Sequence, residues 1–137
     1  MKTSLVAGLC GMLLWASGSA FAHHSPAVFD RTRQVSLEGT VKEFRWGNPH
    51  SWIQLEVTND QGGVDTWGVE MGSPNHLARA GWRSTTLAVG QKISVKVYPL
   101  RNNEKGGQFI SVTFADGKTM TERDPLSGAS GPGVSRP

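Results

Sequence analysis

The sequence predicts a mainly β domain, a small five-stranded barrel of the OB-fold type with one short helix between strands three and four. Three observations support this prediction. Apolar and polar residues alternate with a period of two along five segments, these segments are rich in β-branched and aromatic residues, and a capped helical segment follows the third. The order β-β-β-α-β-β is that of the OB-fold, although another small barrel or sandwich would also fit five such strands.

The first predicted strand contains two sets of alternating apolar residues in opposite phase. The two sets are Val35, Leu37 and Val41, and then Phe44 and Trp46. A β-bulge near Lys42-Glu43, or a bend at Gly39, would bring both sets to one face of the strand. The strand ends before Asn48-Pro49, because proline cannot donate a ladder hydrogen bond.

Each of the other four predicted strands contains three apolar residues in one phase. These are Ile53, Leu55 and Val57; Trp67, Val69 and Met71; Ile93, Val95 and Val97; and Ile110, Val112 and Phe114. The helix lies between the third and fourth strands, because Ser73 is a good N-cap, Pro74 suits the first helical position and Gly81 suits the end. The loop Leu100–Gln108 joins the last two strands, and its Gly106-Gly107 pair is interpreted as a turn.

The first 22 residues predict a cleavable signal peptide. Lys2 precedes an apolar run from Leu5 to Trp15, and Ala20 and Ala22 fit the small-residue rule for cleavage before His23. The run is too short and too often interrupted by glycine to span a bilayer. We therefore expect a periplasmic or secreted protein, with no membrane insertion after cleavage.

Removing 22 of the 137 residues leaves a mature chain of 115. We divide it into an N-terminal arm (23–29), an OB-like barrel domain (30–117) and a tail (118–137) that is rich in Gly, Pro and Ser and is predicted to be disordered. The single cysteine, Cys10, leaves with the signal, so the mature chain has no disulfide and no thiolate chemistry. Loss of Lys2 takes the basic count from 14 to 13 against 11 acidic residues, and this mild charge gives no support for nucleic-acid binding.

Cleavage before His23 would create a chelating N-terminus. The α-amine of His23, with an ordinary pKa of about 8, and its imidazole Nδ1 would bind one metal ion together, and an imidazole of His24 or His50 would supply a third nitrogen. This donor set favours copper(II) and resembles the histidine brace of some secreted copper proteins. The competing interpretation is an arm that binds nothing. Cleavage after Phe21 would give a different chelate, and cleavage after Ala20 would give none.

The segment Trp-Gly-Asn-Pro-His-Ser-Trp places His50 between two tryptophans. His50 and Trp52 have the phase opposite to the apolar residues of strand two, so we expect them on the ligand face of the barrel. Trp46 and Trp52 are therefore candidate ligand-contacting residues, and Glu70 is the candidate to orient a histidine. The competing interpretation places Trp46 in the core and bonds His50 to a neighbouring carbonyl. We expect His76 to be a surface or capping residue of the helix.

Several motifs of the mature chain occur together. They are His23-His24-Ser25, Gly39-Thr40-Val41, Trp46-Gly47-Asn48-Pro49-His50, Gly72-Ser73-Pro74-Asn75, Gly81-Trp82 and Ala115-Asp116-Gly117. In this combination the chain resembles an uncharacterised family of small exported bacterial proteins, known only as a domain of unknown function. The resemblance extends from His23 to Gly117 and implies no particular activity.

Three functions are consistent with these features. The first is a cell-envelope module that binds a divalent metal ion, copper favoured, or a small ligand. The second is a structural domain that docks an envelope protein through its tryptophan-bearing face, without metal or catalysis. The third is a small copper oxidase, which ranks last because such oxidases usually need a larger flat or grooved surface than 115 residues with one tyrosine, Tyr98, provide. The sequence also contains no Gly-x-Ser-x-Gly, phosphate-binding loop, His-Glu-x-x-His or mature cysteine, which lowers the odds of an enzyme.

Overall fold

The computed structural model describes residues 26–123. A 3₁₀ turn at Pro26–Val28 is followed by β1 (Val35–Arg45), β2 (Trp52–Thr58), β3 (Val64–Glu70), α1 (Pro74–Arg79), β4 (Lys92–Pro99), β5 (Gly106–Phe114) and β6 (Thr119–Thr121). Within this range, no helix has the length and apolar character that crossing a membrane requires.

The strands form one sheet in the order β3-β2-β1-β4-β5-β6, and a parallel pairing of β3 with β5 closes it. Strands β1 to β5 therefore make a closed barrel, and β6 pairs with the later residues of β5 on the same edge as β3. This confirms the predicted mainly β fold, a five-stranded OB-like barrel with one short helix between its third and fourth strands.

A bulge in β1 reconciles its two apolar sets. Val41 pairs with Leu55 and Glu43 pairs with Gln54, so Lys42 is the extra residue on the β1 side. Val41 is buried before the bulge, and Phe44 packs against the core after it. The bulge thus lies where the alternation predicted it.

The barrel interior is filled by apolar side chains of the five strands and by residues that follow β3. The buried cluster contains Leu37, Val41, Ile53, Leu55, Val69, Met71, Leu77, Trp82, Leu87, Ile93, Val95, Val97, Phe109 and Val112. Trp82 is only 1% exposed, and its ring meets that of Phe109 edge-on at 5.4 Å. The indole Nε1 of Trp82 donates to the carbonyl of Thr121 at 2.8 Å, so the core tryptophan also holds β6.

The helix α1 begins and ends as its sequence predicts. The Ser73 hydroxyl accepts a hydrogen bond from the backbone N–H of His76, and Pro74 occupies the first helical position. Gly81 follows the helix with a positive φ of 86°, a conformation that side chains other than glycine rarely adopt. His76 is exposed on this helix, as expected.

The inward-facing residues of β5 differ from the prediction. Phe109 and Val112 are buried, whereas Ile110 is only partly buried. The pairing with β4 shifts here, since Lys96 pairs with Ser111 and Val97 pairs with Phe109. Ile110 is left as the extra residue of a bulge, and this local irregularity changes the phase that simple alternation assigned to it.

Gly106 and Gly107 belong to β5 and not to a turn, which corrects their interpretation from sequence. They pair with Gly68 and Val69 of β3 where the barrel closes. A Cβ on Gly107 would lie 2.8 Å from the carbonyl oxygen of Tyr98, closer than real Cβ contacts allow. A Cβ on Gly106 would lie 3.3 Å from the Gly68 carbonyl oxygen of β3, so these glycines leave space on both sides of β5, and we call Gly68, Gly106 and Gly107 the glycine seam.

The folded part extends beyond both boundaries predicted for the domain. Phe29, assigned to the arm, is only 7% exposed and forms a β-bridge with Leu100. At the other end, β6 lies within the predicted tail and pairs with Ser111–Thr113 of β5. The tail therefore cannot begin at residue 118 as a disordered segment. The signal peptide and residues 124–137 lie outside the described residues.

Candidate ligand-binding site

A cavity of about 560 Å³ lies beside the β1–β2 and β4–β5 loops. Its described lining residues are Val28, Phe29, Pro49, His50, Trp52, Gly68, Glu70, Leu100, Asn102, Glu104 and Gly107. Strands β2 and β3 contribute Trp52, Gly68 and Glu70. The cavity is thus on the face where the sequence placed His50 and Trp52, and its volume is in the range of small-molecule sites.

Backbone pairing beyond the ends of β2 and β3 positions the polar wall of the cavity. Trp52 and Glu70 are directly opposite in the antiparallel register, so their side chains share one face of the sheet. The pairing continues as the N–H of Met71 donates to the Ser51 carbonyl at 2.9 Å, and the N–H of Ser51 donates to the Gly72 carbonyl at 3.0 Å. Ser51 itself is fully buried.

The Nδ1 atom of the His50 imidazole has two oxygen acceptors close to it. It lies 3.0 Å from the carbonyl oxygen of Met71 and 3.4 Å from Oε1 of Glu70. A carbonyl only accepts, so this contact assigns the proton to Nδ1, and the lone pair of the neutral ring is on Nε2. From the sequence alone, the carbonyl contact of His50 belongs to the interpretation without a ligand, and Glu70 is the residue expected to orient a histidine. The structure contains both contacts.

The two candidate tryptophans occupy different places. Trp52 lines the cavity, and the guanidinium carbon of Arg45 lies 5.9 Å from the centre of its ring. Trp46 is partly buried against the core, with its ring 5.9 Å from that of Phe44 and nearly perpendicular to it. Trp46 is not among the described residues that line the cavity, and its position agrees with the core interpretation.

The end of the N-terminal arm forms part of the cavity wall. Three contacts attach it to the end of β4 and the loop that follows: the N–H of Asp30 donates to the Pro99 carbonyl at 2.8 Å, and Arg101 donates from its backbone N–H to the Val28 carbonyl and from Nε to the Ala27 carbonyl. Sequence reasoning missed this attachment. The signal for it in the sequence is the aromatic residue Phe29, which the structure buries.

His23 and His24 lie outside the described residues. Four positions separate His24 from Val28, which lines the cavity. Since Pro26–Val28 form the 3₁₀ turn, with a rise of about 2 Å per residue, these four steps span at most about 11 Å, and this length permits both histidines to approach the cavity. Among residues 26–123, no three His, Cys, Asp or Glu side chains form a group that could hold a metal ion. A metal ion at His50 therefore needs ligands from elsewhere.

Glu122 is a second carboxylate that sequence reasoning missed, because it follows the predicted end of the domain. Its Oε1 accepts a hydrogen bond from the N–H of Gly72 at 2.7 Å. Burial raises the pKa of Glu122 above its ordinary value, while this hydrogen bond and the nearby imidazoles of His76 and His50 act to lower it. This hydrogen bond fixes the C-terminal segment to Gly72, the residue after Met71, whose carbonyl contacts His50.

The topology and the cavity define a small OB-like β-barrel domain with a ligand-sized opening on the face of strands β2 and β3. The chain belongs to a family of unknown function, DUF6152, whose sequence profile matches residues 12–109. This confirms the predicted membership of an uncharacterised family. Among solved structures, a mitochondrial single-stranded DNA-binding protein of S. cerevisiae is similar over 65% of this chain and 81% of that chain, at 11% identity and a TM-score of 0.39. No curated protein matches the sequence.

Proposed function

We propose that the mature protein is an exported cell-envelope module that binds a divalent metal ion, with copper favoured, through His23, His24 and His50. The position of His50 carries this proposal. Its imidazole lines a cavity whose wall also contains Val28 and Phe29, a few residues after the expected mature N-terminus.

The contacts of His50 support a ligand role. Metal-binding histidines usually donate their second N–H to a carbonyl or a carboxylate, which fixes the tautomer and raises the basicity of the ligating nitrogen. Met71 supplies such a carbonyl at 3.0 Å, and Glu70 supplies such a carboxylate at 3.4 Å. In this tautomer the ligating atom is Nε2.

Copper is favoured by the kind of donors and by their number. An α-amine and two or three imidazoles make an all-nitrogen set, and copper(II) has the highest affinity among the divalent ions for such donors. Export belongs to the same proposal, because cleavage of the signal peptide before His23 is what generates the free amine.

The N-terminus is tested first. Intact mass of the exported protein should correspond to cleavage before His23, and any other cleavage site would refute the amine as a ligand. Copper titration of this protein should then give at least a tenfold higher affinity than a variant with one alanine added before His23, since even outer-shell changes cost roughly 10–100-fold. Equal affinities would exclude the amine.

His50 is tested by His50→Ala, with His76→Ala as the matched control. His76 is exposed on α1 and is not among the described cavity-lining residues, so its loss should leave copper affinity unchanged. Loss of the His50 nitrogen should weaken binding by about 100-fold or more, above the effect of an outer-shell change. Equal loss in both variants would point to nonspecific binding. A mature protein that binds no copper would refute this proposal and favour the alternative, a structural docking domain without metal.

A further inference from the structure

The cavity has a composition that a metal ion alone does not explain. Most of its described lining residues are apolar or glycine, with Val28, Phe29, Trp52 and Leu100 among them. A bare ion would use only a small part of a volume of about 560 Å³. Cavities of this size and lining bind organic molecules whose apolar part is buried against such side chains.

The charged groups on the cavity wall have one sign. Glu70 is on the wall with its side chain 20% exposed, and Glu104 is on the β4–β5 loop. None of the described lining residues is lysine or arginine. The cavity therefore combines an apolar lining with carboxylates that favour a cation.

Three basic side chains near this wall along the chain contact other groups, and a fourth, Arg45, lies over the ring of Trp52 at 5.9 Å. Arg31 donates to the amide oxygen of Gln108 at 3.0 Å, Arg101 donates to the Ala27 carbonyl at 2.9 Å, and the Nζ of Lys105 lies 2.9 Å from a carboxylate oxygen of Asp65. Arg31, Arg101 and Lys105 thus have partners other than the two cavity carboxylates. Glu70 has the His50 imidazole at 3.4 Å and also lines the cavity, as Glu104 does.

The β4–β5 loop has a defined shape at the position of Glu104. The side-chain oxygen of Asn102 accepts from the N–H of Glu104 at 3.1 Å, and the carbonyl of Glu104 accepts from the N–H of Gly106 at 2.9 Å. This turn fixes the backbone at Glu104, two residues before Gly106, where the glycine seam begins in β5.

We propose that this cavity binds a small organic amine, with its protonated amino group at Glu70 and Glu104 and its apolar or aromatic body against Phe29, Trp52 and Leu100. The inference goes beyond the proposed metal function and does not depend on it. A charge-assisted hydrogen bond to a partly buried carboxylate provides the selectivity, and contact with the apolar wall provides the remaining affinity.

The test uses the full mature protein after removal of metal ions with a chelator, so its outcome is independent of copper binding. Ligand-observed NMR and calorimetry compare 2-phenylethylamine with 2-phenylethanol and 3-phenylpropionate, which share the aromatic body and differ in charge. The amine should bind about tenfold more tightly than the alcohol, and the carboxylate should bind most weakly. Equal binding of amine and alcohol, or tighter binding of 3-phenylpropionate, would overturn the proposal.

Two variants locate the amino group. Glu70→Gln should reduce amine affinity about tenfold without changing alcohol affinity, and Glu104→Gln, on an exposed loop, should reduce it about threefold. Glu56→Gln is the control, because Glu56 pairs with Lys42 at 3.5 Å and is not among the described lining residues. If Glu70→Gln fails to fold, Glu104→Gln still decides the question. Unchanged amine affinity in both variants would place the amine elsewhere and refute the site.

Discussion

Replacing Glu70 with glutamine should weaken copper binding about tenfold, or by about 1.4 kcal/mol. The size of the effect follows from the two contacts of the His50 Nδ1. The Met71 carbonyl at 3.0 Å makes the hydrogen bond that fixes the tautomer, and this bond remains in the variant. The Glu70 carboxylate at 3.4 Å adds negative charge behind the ring, and only this charge is removed. We therefore expect the lower end of the 10–100-fold range for outer-shell changes.

The assay is a competitive copper titration of the correctly cleaved protein against a chelator of known affinity. Glu56→Gln is the matched control, because it removes a strand carboxylate from a 3.5 Å ion pair outside the described wall of the cavity. Its copper affinity should equal that of the wild-type protein. If Glu70→Gln also binds copper within about twofold of wild type, the carboxylate does not support His50, and the reasoning from its position is refuted.

Three further predictions concern the barrel and its C-terminal strand. Burial raises the pKa of Glu122, so its stabilising contribution is complete below the ordinary glutamate value and is lost as pH rises through the folded value. Glu122→Gln should therefore raise the melting temperature at pH 7 and have little effect near about pH 3.5, whereas a constant difference would contradict this. The Ser51 hydroxyl is buried and has no hydrogen-bond partner among the described residues, so Ser51→Ala should raise the free energy of unfolding by about 1 kcal/mol in a urea titration, and a clear loss would show a missed partner. Gly107→Ala should lower the free energy of unfolding by about 1–3 kcal/mol, because its Cβ would meet the Tyr98 carbonyl. Gly47→Ala, whose Cβ would meet nothing within 4 Å, should change it far less in the same titration.

Local sequence patterns predicted most of the barrel. Alternation identified the five barrel strands, and the phase change between Val41 and Phe44 located the β1 bulge. Cap residues defined α1 at both ends. These features depend on neighbours in the chain, which is why one sequence contains enough information for them.

Contacts between distant segments could not be predicted in this way. The parallel closure joins residues near Gly68 to residues near Gly107, and nothing local distinguishes glycines at such a closure from glycines in a turn. The β5 bulge at Ile110 was missed because β4 imposes it from across the sheet. Strand β6 is three residues long and polar at both ends, so its alternation is too short to detect.

The candidate site was predicted in the same partial way. His50 and Glu70 were found because their phase places them opposite the apolar residues of their strands, and their contact follows from the register of β2 with β3. The attachment of Phe29 to Leu100 and the position of Glu122 depend on segments that the composition assigned to an arm and a tail. Each of these segments joins the barrel through only a few residues, which leave no periodic pattern.

The glycine seam has a consequence for how the binding site can be altered. Where Gly68 and Gly107 line the cavity, the wall is peptide backbone, and a larger side chain at Gly107 would meet the Tyr98 carbonyl and the Val97 side chain of β4 at less than 3.0 Å. Chemical variety beside Gly107 is therefore introduced with less strain in the loop between β4 and β5, at Asn102 and Glu104. That loop is therefore the place to redesign ligand selectivity while the barrel stays closed.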